Sequence, residues 1–132
     1  MAVKEQRPKA RVYGVEPEYS NAMSEALGHQ GPVSLGRVET IADGLAAKHT
    51  EELTFSIVRH YVDGIILVSD RQILESTLFL LEHARLLVEP SGAASFAGLL
   101  ANEKRQGCAV AVMSGGNVTL HQIEELRRPY AI

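Results

Sequence analysis

Three short apolar segments constrain this chain more than any other feature: "RVYGVEP" (11–17), rich in β-formers and ending at a proline, the continuous run "GIILVSD" (64–70), and "CAVAVMSG" (108–115). Apolar residues that do not alternate with polar ones suit strands covered on both faces, as in parallel sheets. Helical patterns fill the intervals between the runs. The order strand, helices, strand, helices, strand, helix predicts an α/β fold, with a three-layer, mostly parallel sheet and flanking helices. A length of 132 residues fits one domain, 1–132, large enough to bury a real core.

Local signals place the helices. Ser20 is positioned to cap "NAMSEAL", with Gly28 as the stop. Thr50 opens a segment carrying Leu53, Ile57, Val58 and Tyr61 on one stripe. Ser69 with Gln72, and Thr119 with Gln122, have the spacing of capping boxes. After Ser69, the residues Ile73, Leu74, Thr77, Leu78 and Leu81 share a face that Phe79 and Leu80 widen. "SGAASFAGLLANEK" predicts a small-residue helix suited to close packing on a sheet. The opening "MAVKEQRPKA" reads either as a frayed helix or as a chain that starts partway through a larger fold.

Charge and composition narrow the partners. A net charge of −3 provides no electrostatic attraction to nucleic acid or to an anionic membrane. No apolar run approaches the length of a transmembrane helix, and no signal-peptide pattern opens the chain. The single cysteine, Cys108, excludes an intrachain disulfide and suits a reducing cytoplasm. At the start of an apolar run it is expected to pack as a small hydrophobe. The five histidines lack metal-ligand spacing, and Lys4, Lys9, Lys48 and Lys104 sit in polar contexts that predict solvated surface.

The third run delivers "SGGN" to what would be the carboxyl edge of a sheet, where open α/β folds hold ligands. Read with "VYGVEP", "ETIADGLA" and "VEPSGAAS", in that order, the "MSGGNV" segment resembles the carboxyl-terminal half of the fold-type-II pyridoxal-phosphate enzymes. Within that family the resemblance is to threonine dehydratase, serine racemase and serine dehydratase, and it covers nearly the whole chain. It implies that the chain is part of the large domain of such an enzyme. It also implies that Ser114 lies against the pyridine nitrogen of the cofactor, with Gly115 and Gly116 letting backbone approach the ring and Asn117 stabilising the loop. Gly44 and Glu89 would border the same pocket. Glu89 reads equally as a helix-start carboxylate favoured by the dipole, and both readings stand.

The resemblance also implies what to look for elsewhere. The family's Schiff-base lysine lies in a Ser-Phe-Lys motif and its phosphate cradle in a glycine-rich loop, and neither motif occurs here. Both would fall upstream of residue 1, so no catalytic residue is expected in this chain, and the chain alone is not expected to hold pyridoxal phosphate. Some members bind a cation near the position of Glu16, with an acidic residue six places on; Ala22 stands there, so no metal is expected. Two function classes remain. One is the carboxyl-terminal portion of a threonine or serine ammonia-lyase, forming a 2-oxo acid and ammonia. The other is a non-catalytic α/β domain for oligomerisation or small-ligand binding. A sheet lacking neighbouring strands exposes an edge, so a homodimer or a separate amino-terminal half is the expected partner.

Overall fold

The structure is a computed structural model describing residues 1–102 and 107–131. Its elements run α1 (Ala2–Gln6), β1 (Tyr13–Pro17), α2 (Ala22–His29), α3 (Glu52–Tyr61), β2 (Gly64–Val68), α4 (Asp70–Phe79), α5 (Pro90–Ala101) and α6 (Leu120–Arg127). Short 3-10 turns occupy Asp43–Leu45 and Arg128–Tyr130, and a π-helical turn at Leu80–Ala84 extends α4. No helix among the described residues is long and apolar enough to cross a membrane.

The first two apolar runs form the expected parallel pair, from Tyr13 opposite Gly64 to Pro17 opposite Val68. Alternation along the strands points Val15, Ile66 and Val68 toward α5, where Ala94 and Ala97 complete a core with Ile73 and Ala42. The small residues of α5 allow this approach. A Cβ on Gly98 would lie 2.5 Å from Cγ2 of Val15, closer than any real contact. Pro90 at the first helical position and Glu89 before it set the start of this helix. A second cluster of Leu80, Val88 and Ala93, flanked by Phe96, joins α5 to the end of α4. Fully buried side chains such as Ile73 and Leu74 each contribute roughly 2–5 kcal/mol against truncation to alanine.

Both capping boxes form, at Ser69 with Gln72 and at Thr119 with Gln122. Other expectations are corrected. The run at 108–115 is not a strand: among the described residues the sheet holds β1 and β2 only, and 108–118 makes no ladder. It is held instead by α5, where the Ser95 hydroxyl donates to the Val112 carbonyl at 2.7 Å. With no adjacent strand to pair with, its apolar residues stay exposed, Val110 at 85% and Val112 at 75%, and Cys108 is exposed as well. Ser20 does not cap α2; it is buried and donates to the Leu45 carbonyl at 2.7 Å. The helix runs past Gly28 and stops at Gln30, which takes the left-handed conformation. Thr50 does not open α3; its hydroxyl accepts from the Val33 N–H beside the Ser34–His49 bridge. Phe55, rather than the expected stripe, is the buried anchor of α3, and Leu53 is 72% exposed.

Candidate functional site

The amino terminus of α5 is where the sequence-predicted site residues meet. Glu89 precedes the helix in extended conformation, and its side chain turns outward instead of capping its own helix. Its Oε2 accepts the Asn117 N–H at 3.1 Å, and its own N–H donates to the Gly115 carbonyl at 3.3 Å. The carboxylate thus joins the Ser-Gly-Gly-Asn loop to the positive end of a helix, a favourable place for an acid.

Two glycines make the junction possible. Gly115 has φ +82°, and a Cβ there would lie 2.1 Å from Oε1 of Glu89. One helical turn below, a Cβ on Gly92 would lie 1.6 Å from the Ser114 carbonyl oxygen. Gly116 packs beneath the Leu87 carbonyl, 3.2 Å from where a Cβ would sit. The Ser114 hydroxyl is on the exposed side of the loop and makes no hydrogen bond among the described residues.

Gly44 arrives from a different segment. Its N–H donates to the Ser91 hydroxyl at 2.9 Å and to Asp43 Oδ1 at 2.8 Å. Ser91 therefore couples the 43–45 turn to α5, as Glu89 couples the Ser-Gly-Gly-Asn loop to it. Gly44, Glu89 and 114–117 are brought into one cluster around the first turn of this helix. Ser91, Gly92 and Ser95 were missed by the sequence reading. The available signal was the proline of "VEPSG", which fixes a helix start and so puts the following serine and glycine at its mouth.

Glu16 lies elsewhere. Its two oxygens accept the N–H groups of Met23 (2.9 Å) and Ser24 (2.8 Å), so it caps α2 from β1. Burial raises its pKa, against the lowering effect of those two bonds. Among the described residues no group of three or more His, Cys, Asp or Glu is gathered to hold a metal ion. A cleft of about 600 Å³ lies beyond the carboxyl ends of β1 and β2, lined in part by Glu39, Asp70 and Tyr130. None of Gly44, Glu89 or 114–117 lines it. Within the cluster at α5, Gly44 and 114–117 are exposed, Glu89 and Ser91 are half-buried and Gly92 is buried.

A parallel α/β unit that gathers a glycine-rich loop, a turn and a helix start at one place belongs to the class of open α/β ligand-binding folds. Residues 1–115 match the pyridoxal-phosphate dependent enzyme family, and the chain belongs to that family. It is 36% identical over 128 residues to the L-threo-3-hydroxyaspartate ammonia-lyase of Saccharomyces cerevisiae, covering 96% of this chain and 39% of that one. It is 35% identical over 127 residues to the L-threonine ammonia-lyase of Thermotoga maritima, covering 96% and 32%. Threonine deaminase isoform 2 of Solanum lycopersicum superposes with a TM-score of 0.90 at 28% identity, covering 98% of this chain and 39% of the other. The chain thus spans between about a third and two fifths of the length of these relatives.

Proposed function

We propose that this chain forms the ring-side portion of a pyridoxal-phosphate-dependent ammonia-lyase acting on a β-hydroxy amino acid such as threonine or serine. The observation that carries the reading is the convergence of Gly44, Glu89 and the Ser-Gly-Gly-Asn loop on the first turn of α5. This donor set fits one side of the cofactor. The neutral Ser114 hydroxyl would exchange a hydrogen bond with the ring nitrogen, and Gly115 and Gly116 would keep side chains clear of the ring. Glu89 holds the loop through Asn117, and Gly44, its N–H fixed by Ser91, would border the ring. Bound pyridoxal phosphate supplies the electron sink for loss of the α-proton and the β-hydroxyl.

A lysine and a phosphate-binding loop must come from polypeptide outside this cluster. Lys4 is engaged by Asp63 at 2.6 Å, and Lys9 and Lys48 are exposed, whereas Lys104 lies outside the described residues. The exposed Val110, Val112 and Met113 supply an apolar surface for such a partner to cover. The amino-terminal portion of the family is the partner we favour; a second copy of the chain, giving a non-catalytic dimer, is the other reading the same surface supports. We place the protein in the cytoplasm, in keeping with its lone cysteine.

The test has two arms. Incubated with pyridoxal phosphate and reduced with borohydride, the chain alone is expected to give sparse adducts on several lysines, unchanged by Ser114→Ala. Combined with a lysine-bearing amino-terminal portion, it is expected to release 2-oxo acid from threonine or serine, and Ser114→Ala lowers that yield. A stoichiometric single-lysine adduct on the chain alone, or a combined pair that neither binds cofactor nor turns over, refutes the proposal.

A further inference from the structure

A hydroxyl in the middle of a helix ordinarily turns to solvent or back to the carbonyl four residues earlier. Thr77 does this in α4, donating to the Ile73 carbonyl at 3.0 Å. Ser95, half-buried in the middle of α5, does not. Its hydroxyl donates at 2.7 Å to the carbonyl of Val112, 17 residues away on a run that makes no ladder. The side chains of Val110 and Val112 are exposed, so their burial does little to hold that run in place.

Val112 stands two residues before Ser114. Ser95 stands three residues after Gly92, on the same face of the helix, and the missing side chain of Gly92 is what admits the Ser114 carbonyl. Downstream, Glu89 takes hold of the loop at Gly115 and at Asn117. Ser114 is therefore seated between an anchor at Val112 and another at Gly115. With φ +82° and no Cβ, Gly115 is a natural pivot, and loss of the upstream anchor frees Ser114 to swing about it. We propose that Ser95 is a positioning residue: through the Val112 carbonyl it fixes where the Ser114 hydroxyl stands. That this hydroxyl meets a cofactor rests on the function proposed above; the seating does not.

Residue-resolved amide exchange on the full chain, without cofactor, tests the seating. Alanine favours helix more than serine does, so Ser95→Ala leaves α5 intact and removes the bond. The Asn117 and Glu89 amides, which bridge loop and helix, are expected to exchange about fivefold faster. Gly44 and Ile73 are expected to keep their rates, and Ser95→Thr, which retains the hydroxyl, to exchange as wild type. Unchanged rates at Asn117 and Glu89, equal acceleration at all four amides, or the same acceleration in Ser95→Thr overturns the proposal. Should Ser95→Ala not fold, Ser95→Cys, a near-isostere with a weak donor, carries the same comparison.

Combined with a lysine-bearing amino-terminal portion, Ser95→Ala is expected to lower the yield of 2-oxo acid, and to lower it no further in a Ser114→Ala background. An equal loss in both backgrounds overturns the proposal, because Ser95 would then act by another route. A pair that does not turn over at all refutes the function proposed above, and the exchange rates alone then decide the role of Ser95.

Discussion

Gly92→Ala tests the seating of the Ser-Gly-Gly-Asn loop directly. In a helix this change ordinarily stabilises by about 1 kcal/mol. Here the new Cβ would lie 1.6 Å from the Ser114 carbonyl oxygen and 2.8 Å from its carbon. Carbon and oxygen need about 3.3 Å, so the loop must retreat by about 1.7 Å, and no rotamer change can absorb a clash with backbone. Three hydrogen bonds then lengthen beyond use: Asn117 to Glu89, Glu89 to Gly115, and Ser95 to Val112. At about 1 kcal/mol each they outweigh the helical gain, leaving a net loss of about 2 kcal/mol. Urea denaturation reads the loss, and residue-resolved exchange at Asn117 reports where it occurs. Gly28→Ala is the control, since nothing lies within 4 Å of its added Cβ, and it is expected to stabilise by up to about 1 kcal/mol. If Gly92→Ala matches or exceeds wild-type stability with Asn117 protection intact, the packing argument is wrong.

Glu16 gives a pH signature. Its native pKa is raised above 4.5 because burial outweighs its two N–H partners, so the folded state takes up a proton that the unfolded state has not yet bound. Stability should therefore rise as pH falls through that window toward 4.5. Glu16→Gln should abolish this trend while destabilising α2 by about 1–3 kcal/mol, since the amide presents a donor to a site of two donors; urea titrations at several pH values measure both. Asp63 has the opposite sign: its bonds to Lys4 and to the Val12 N–H hold its pKa below 3.8, so its contribution is present above that value and lost on acidification. Asp63→Asn should speed exchange in α1 selectively and remove the corresponding acid-range change. Gln30→Gly, at φ 59°, should raise the denaturation midpoint by relieving about 1 kcal/mol of left-handed strain.

Much of the frame was legible in the sequence because its signals are local. Ser69 with Gln72 and Thr119 with Gln122 carry their own partners three residues away, and both boxes formed. The apolar runs behind β1 and β2 found each other because each is the other's ladder. The run at 108–113 is also largely apolar, yet a strand is a property of two segments, and among the described residues no neighbour pairs with it. Ser20 and Thr50 failed as caps for a related reason: the Leu45 carbonyl and the Val33 N–H, 25 and 17 residues away, were better partners than the adjacent helices. At the site, the association of Glu89 with the Ser-Gly-Gly-Asn loop came from family resemblance, whereas the Ser91–Gly44 bond is visible only once chain segments meet.

The separation in sequence of the groups around α5 has a kinetic consequence. Gly44 and Ser91 close a span of 47 residues, and Asn117 and Glu89 one of 28. Each such closure costs chain entropy before a hydrogen bond repays it. The helix itself needs only its own turns. Pulse-labelled exchange during refolding should therefore record protection within α5 first and at Gly44 and Asn117 last. Anything that binds at this cluster then acts as a sensor of completed folding, because its receptor exists only once segments 47 and 28 residues apart have met.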